Sequence, residues 1–190
     1  MRIRDELKQD AIFEATVKLI NEIGFMAGSI SKIAREAGVS PATIYIYYKN
    51  KEDLLVSTYI EIKAKLSMAL ISNFDSQRPI RDTLEIIWNN GFNYISQHSD
   101  YFKFTEQFSN SPYANLVNVE EINQHYLPMF NILQKGIEQK IIKDVSMEIL
   151  VAFIFYPIMT LTNSRLHGEL KLSRDQVKTA FGMAWDAIKL

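Results

Sequence analysis

Four side chains between residues 42 and 46 could contact the edges of DNA bases. Thr43 and Tyr45 can exchange hydrogen bonds with base edges, whereas Ala42 and Ile46 can offer only apolar contact, which in the major groove means a thymine methyl group. On a helix, a step of 100° per residue brings Ala42 and Ile46 to the outward side, with Thr43 and Tyr45 at its flanks. The pattern therefore predicts A·T pairs opposite Ala42 and Ile46.

The segment that would carry these residues has strong signals for two short helices. Ser40 is a favourable N-cap, and Pro41 suits the first helical position, where its missing N–H costs nothing. Before them, Ala34 is small enough for two helices to cross closely, and Gly38 supplies the backbone freedom of a turn. Ile44 then fills the angle between the helices. Together these features indicate a helix-turn-helix, whose second helix enters the major groove.

Other side chains of this region suit phosphate groups, which fix the register of a protein on DNA rather than reading sequence. The hydroxyl and ammonium groups concerned belong to Ser29, Ser40, Tyr47 and Lys51. Two alternatives remain open. Helical hairpins with a glycine turn occur in many all-α proteins, and the tyrosines at the end of the second helix could simply fill the core of a small domain.

The run Ile33-Ala34, Ala37-Gly38-Val39-Ser40, Ile44-Tyr45-Ile46-Tyr47-Tyr48 and Lys51-Glu52-Asp53-Leu54-Leu55 resembles the N-terminal domain of the TetR family of bacterial transcriptional regulators. The resemblance covers about residues 8–57, and Tyr48 stands where the family usually has Phe. It implies DNA contacts from Ser29, Ser40, Pro41, Ala42, Thr43, Tyr45, Ile46, Tyr47 and Lys51. Apolar spacing and capping signals along the chain predict an all-α fold of about nine helices. Together with the resemblance, they predict a helix-turn-helix domain over 1–50 and an effector-binding and dimerisation domain over 51–190.

Composition narrows the class of protein. The 190 residues are 47% hydrophobic and 23% charged, which is typical of a soluble globular protein, and the absence of cysteine excludes disulfides, thiolate catalysis and cysteine-ligated zinc. The net charge is +2 over residues 1–51 and −3 over the rest, so a basic DNA-binding head on an acidic body is predicted. We expect a cytoplasmic protein with no membrane segment and no cofactor.

The chain beyond the predicted DNA-binding domain is rich in aromatic side chains on predicted helices. By resemblance to the family, they could line a cavity for a lipophilic or planar effector. The candidates are Trp88, Phe92, Phe104, Thr105, Phe108, His125, Tyr126, Phe130, Phe153 and Tyr156. Packing in the core is the alternative for each of them.

Two helices near the C-terminus are predicted, one from about Ser146 to His167 and one from Ser173 to the end. The first is apolar on nearly all sides, which favours burial against a second subunit. The residues expected at this dimer interface are Ile149, Phe153, Leu161, Phe181, Trp185 and Ile188. The alternative is that both helices are buried within one monomer.

An enzyme is disfavoured by the sequence. His98, His125 and His167 are the only histidines, and none has a carboxylate or nucleophile at a telling spacing. A second alternative is an all-α module that binds DNA or protein architecturally, without an effector. The sequence does not separate a repressor from an activator.

Overall fold

The computed structural model describes residues 2–73, 75, 77–163 and 172–190. These ranges are mainly helical, which confirms the predicted all-α fold. The helices are α1 (Arg2–Ala27), α2 (Ile30–Glu36), α3 (Pro41–Tyr47), α4 (Lys51–Leu70), α5 (Ile80–Gln97), α6 (Ser99–Ser109), a 3₁₀ helix (Pro112–Leu116), α7 (Val119–Glu138), α8 (Met147–Ile154), α9 (Tyr156–Leu161) and α10 (Arg174–Ile188). No helix in these ranges is both long and apolar enough to cross a membrane.

The helix boundaries follow from local chemistry. The side chains of Ser29 and Ser40 accept hydrogen bonds from the backbone N–H groups of Lys32 and Thr43, at 3.3 and 3.1 Å. Because these N–H groups lie in the first turn, they have no partner within the helix, and the serines satisfy them. Gly24 interrupts the regular dihedral angles of α1 with a φ of 79°.

The region predicted as one helix from about Ser146 to His167 is divided into α8 and α9 over its described part, which ends at residue 163. The break at Phe155 has a physical cause, because Pro157 has no N–H for the carbonyl of Phe153 and its ring crowds that carbonyl. The sequence prediction of an unbroken helix was wrong at this point. His167 and the end of the predicted helix lie outside the described residues.

The chain forms two compact units, and each combines segments that are separate in the sequence. The N-terminal unit contains residues 2–63 and 100–119. One of its cores packs Phe104 and Phe108 of α6 against Phe13 and Phe25 of α1, so this unit takes in a helix from the middle of the chain. The functional division into DNA-binding and effector-binding domains stays a prediction.

The C-terminal unit contains the described residues of 64–99 and 120–190. Trp88 of α5 is fully buried in it, its ring stacks on Phe92 at 5.9 Å, and it meets Phe181 of α10 edge-on at 6.0 Å. The indole N–H of Trp88 donates a 2.8 Å hydrogen bond to the carbonyl of Ile154. This bond joins α5 to the last residue of α8.

Candidate DNA-binding interface

A small hydrophobic core holds α2 and α3 in the helix-turn-helix arrangement. Ile33, Ala34 and Ile44 are almost completely buried, together with Leu54 of α4. Val39 packs against this cluster, and its backbone N–H donates to the carbonyl of Ala34 at 2.9 Å. The structure therefore brings together the residues that the sequence placed in the angle between the two helices.

The turn between α2 and α3 depends on Gly38. Its φ is +68°, a region that L side chains rarely adopt, whereas a Cβ added there would meet no atom within 4 Å. Any cost of substitution is therefore a cost of backbone conformation rather than of a clash.

We expect Gly38→Ala to lower the free energy of unfolding by about 1–2 kcal/mol, since alanine pays the steric cost of left-handed backbone. Urea unfolding followed by circular dichroism measures the loss. Gly38→Asn is the matched control and should lose less, because asparagine tolerates this conformation. Equal stability of the alanine variant and the wild type would contradict the assignment.

The outward side of α3 presents the side chains that were predicted to reach bases. Ile46 is 74% exposed and Tyr45 56% exposed, and neither belongs to the core cluster around Ile44. Ala42 is exposed as well. Thr43 is half-buried, and its hydroxyl lies 2.9 Å from the hydroxyl of Ser40. Pro41 is exposed at the start of the helix.

The three tyrosines of α3 and its C-cap have different environments. Tyr47 and Tyr48 are half-buried against the helix-turn-helix core, whereas Tyr45 is not part of it. The hydroxyl of Tyr47 donates to the carboxylate of Asp5 in α1 at 3.2 Å. Burial, followed by the negative charges of Glu61 and Asp53, raises the pKa of Tyr48 to about 12.

The raised pKa of Tyr48 predicts a loss of stability in alkali. A tyrosine that ionises near 10 when unfolded and near 12 when folded contributes stability below pH 10, and this contribution is lost as the pH rises from 10 to 12. We expect Tyr48→Phe to reduce this loss, as measured by urea unfolding at pH 9 to 12. Tyr45→Phe, on the exposed side of the same helix, should leave the loss in place. A pH profile that Tyr48→Phe does not change would contradict the prediction.

The two remaining residues predicted to contact phosphates lie at the ends of α2 and α4. Ser29 is half-buried, and its side chain is engaged as the N-cap of α2. Lys51 is also half-buried, and its ammonium group donates to the carbonyl of Phe25 at 2.6 Å. The structure thus gives both side chains a contact within the protein.

The predicted effector-pocket residues fall into two groups. Phe104, Thr105 and Phe108 lie on α6 in the N-terminal unit, where Phe108 stacks on Tyr59 of α4 at 4.3 Å. The hydroxyl of Thr105 donates a 2.8 Å hydrogen bond to the carbonyl of Phe102 in its own helix. These three side chains are buried within the N-terminal unit, and their place in an effector cavity stays a prediction.

The other candidates lie in the C-terminal unit. Trp88 is a core residue, and the rings of Tyr126 and Phe130 are half-buried with their centres 6.4 Å apart on α7. His125, Phe153 and Tyr156 are exposed. Of the predicted set, Phe92, Tyr126 and Phe130 are the half-buried side chains of this unit.

The residues predicted at the dimer interface fall into a buried group and a group that is at least partly exposed. Phe181, Trp185 and Ile188 are buried in the core of the subunit itself, so their assignment to an interface between subunits is corrected. Ile149 and Phe153 are about half exposed on α8, and Leu161 is half-buried. The exposed apolar side chains of this unit therefore include Ile149 and Phe153 of α8 and, on the opposite side of α10 from Phe181, Met183.

Two family descriptions match the chain. "Bacterial regulatory proteins, tetR family" matches residues 12–58, which include both helices of the helix-turn-helix. "Tetracyclin repressor-like, C-terminal domain" matches residues 79–189.

Individual proteins are similar over most of the chain. A TetR family transcription regulator from Marinobacter aquaeolei VT8 has a structure with a TM-score of 0.89 and 33% identity, covering 100% of this chain and 99% of that one. The fatty acid metabolism regulator protein of Bacillus subtilis is 29% identical over 135 residues, 70% of each chain. The structure of a transcriptional regulator FadR from Bacillus subtilis in complex with stearoyl-CoA has a TM-score of 0.72 and 25% identity, covering 92% and 94%.

Proposed function

The chain belongs to the TetR family of bacterial transcriptional regulators, and we propose that it is a repressor that binds a palindromic operator as a homodimer. The observation that carries the proposal is the exposed face of α3, where Tyr45 and Ile46 project from a helix anchored by the buried Ile44. We place its action in the cytoplasm, where bacterial DNA lies, and propose no enzymatic activity for it.

A dimer is proposed because one helix-turn-helix contacts few base pairs. A symmetric pair of heads contacts half-sites about 34 Å apart or a multiple of that distance. The half-exposed apolar side chains of α8, Ile149 and Phe153, together with Met183 of α10, support this assembly. Contact between two copies would remove them from water.

For the effector we propose a long-chain acyl compound such as an acyl-CoA. The support is the similarity of this chain to a fatty acid metabolism regulator and to a FadR regulator whose structure contains stearoyl-CoA. The half-buried rings of Tyr126 and Phe130 on α7 are apolar surface suited to such a chain. Because binding free energies are linked, an effector that favours a body conformation unsuited to the operator must weaken operator binding by the same factor as the operator weakens effector binding.

The test begins with DNA selected from a random pool by the purified protein. We expect a sequence-dependent complex with two subunits per palindrome, which oleoyl-CoA dissociates and free CoA does not. Oleoyl-CoA should also raise the Tm of the protein in the absence of DNA. Failure to select any sequence would overturn operator binding, whereas selection without an effect of acyl-CoA would overturn only the proposed effector. An effector-independent architectural module, the second candidate, predicts a selected operator and no ligand that raises the Tm.

Ile46→Ala is expected to remove a preference for thymine methyl groups. An apolar contact with a methyl group requires a side chain that reaches it, and the side chain of alanine has three fewer carbons than that of isoleucine. In the selected operator, replacing the contacted thymines by uracil should weaken DNA binding by the wild type several-fold. It should leave DNA binding by Ile46→Ala unchanged, as measured by fluorescence anisotropy. G·C pairs at these positions, with the preference unchanged in Ile46→Ala, would contradict the prediction.

A further inference from the structure

The side chain of Lys51 joins three elements of the N-terminal unit. Lys51 is the first residue of α4, and its Nζ lies 2.6 Å from the carbonyl oxygen of Phe25 in the last turn of α1. The same Nζ lies 5.9 Å from the centre of the Tyr113 ring in the 3₁₀ helix. This distance is within the range of a cation–π interaction.

The acceptor at the end of α1 is chemically suited to a cation. Phe25 and Ala27 lie after the interruption of α1 at Gly24, and carbonyl groups in the last turn of a helix lack the N–H partners of a continuing helix. A second lysine binds the same turn, since the ammonium group of Lys32 in α2 donates a 2.9 Å hydrogen bond to the carbonyl of Ala27. Ammonium groups from α2 and α4 therefore both bind the last turn of α1.

The position of the Phe25 carbonyl is fixed by its own side chain. The ring of Phe25 is buried and meets the rings of Phe104, Phe108 and Tyr113 at centre distances of 5.4, 5.8 and 5.7 Å. The two partners of Lys51 thus belong to one aromatic cluster. A hydrogen bond to this carbonyl orients the first turn of α4, which directly follows the helix-turn-helix.

We propose that Lys51 is a positioning residue that sets the direction of α4 against α1 and the 3₁₀ helix, and that Tyr113 acts with it. Lys51 then contributes to operator affinity through the geometry of the head, and its ammonium group does not pair with a phosphate. Tyr113 becomes a determinant of operator affinity although it is distant from the helix-turn-helix in sequence. This inference rests on the proposed operator binding.

The salt dependence of binding separates the two roles of Lys51. Each phosphate contact that is lost lowers the slope of log K against log salt by about 0.9, so a dimer that loses two contacts changes by about 1.8. For Lys51→Met we expect a roughly 3- to 10-fold weaker complex with an unchanged slope. Lys49→Met, which removes the same charge from an exposed neighbour, provides the reference for loss of charge alone.

Variants of Tyr113 test the same contact from the side of the aromatic ring. They keep the proposal testable if Lys51→Met does not fold. Tyr113→Leu removes the ring face and should weaken the operator complex as Lys51→Met does, whereas Tyr113→Phe keeps the ring and should bind as the wild type. The double variant should bind no more weakly than either single variant. A slope that falls by about 1.8 in Lys51→Met, or full affinity of Tyr113→Leu, would overturn the proposal.

A stability measurement keeps this inference distinct from the proposed function. In the absence of DNA, Lys51→Met and Tyr113→Leu should each lower the Tm by about 2–4 °C, and the double variant by less than the sum. Strictly additive shifts in Tm would overturn the link between the two residues. If the wild type selects no operator, the proposed function is refuted. The Tm values of the two single variants and the double variant would still decide whether Lys51 and Tyr113 act together.

Discussion

Replacement of Tyr45 by alanine is expected to weaken operator binding by at least about 30-fold without lowering the Tm. Tyr45 is 56% exposed on the outward side of α3 and takes no part in the core around Ile44, so its loss leaves the head folded. A side chain that contacts a base edge contributes about 1–3 kcal/mol. Because a symmetric dimer loses the contact twice, the expected loss is about 2–6 kcal/mol, and about 1.4 kcal/mol corresponds to a factor of ten.

Two further variants make the Tyr45 prediction specific. Tyr45→Phe retains the ring and removes only the hydroxyl, so the difference between the two variants separates hydrogen bonding from apolar contact. Met68→Ala removes a comparably exposed side chain, 69%, from α4 outside the helix-turn-helix and should bind DNA as the wild type does. The measurement is fluorescence anisotropy on the selected operator. Full affinity of Tyr45→Ala would show that α3 does not present this side to DNA.

The helix-turn-helix could be predicted because its determinants are local. The N-cap Ser40, the proline after it and the left-handed glycine at position 38 each act within a few residues, and the structure has each of them in the expected role. The inward position of Ile44 follows from helical periodicity alone. The exposed positions of Ala42 and Ile46 follow from the same rotation of 100° per helical residue.

The place of α6 could not be predicted in the same way. Phe104 and Phe108 are four residues apart on one helical face, and this spacing fits a cavity wall as well as a core. Their partners Phe13, Phe25 and Leu55 lie far away in the sequence. Only the three-dimensional arrangement shows that this face is buried within the N-terminal unit.

The error at the predicted dimer interface has a similar cause. α10 has apolar residues on two sides, and the sequence does not say which side faces the core of its own subunit. The structure buries the side with Phe181, Trp185 and Ile188 and exposes Met183. The break between α8 and α9, in contrast, had a local signal in Pro157, because a proline inside a helix removes a hydrogen bond.

Trp88→Ala is expected to cause the largest loss of stability, about 3–5 kcal/mol, because it removes a fully buried indole ring from the core of the C-terminal unit. Part of the loss comes from one hydrogen bond. At the break caused by Pro157, the N–H of Ile158 donates to the carbonyl of Phe155 rather than to that of Ile154, and the indole N–H of Trp88 donates to the Ile154 carbonyl.

Trp88→Phe separates that hydrogen bond from the burial of the ring. It keeps most of the apolar volume and leaves a buried carbonyl without the indole donor, which costs about 1–3 kcal/mol. Urea unfolding measures both variants, and Trp185 remains as a fluorescent reporter in the same unit. Leu127→Ala, which shortens a half-exposed side chain on α7, should stay near wild-type stability. If Trp88→Phe is as stable as the wild type, the bond to Ile154 does not hold α8 to α5, and the break at Pro157 is tolerated without it.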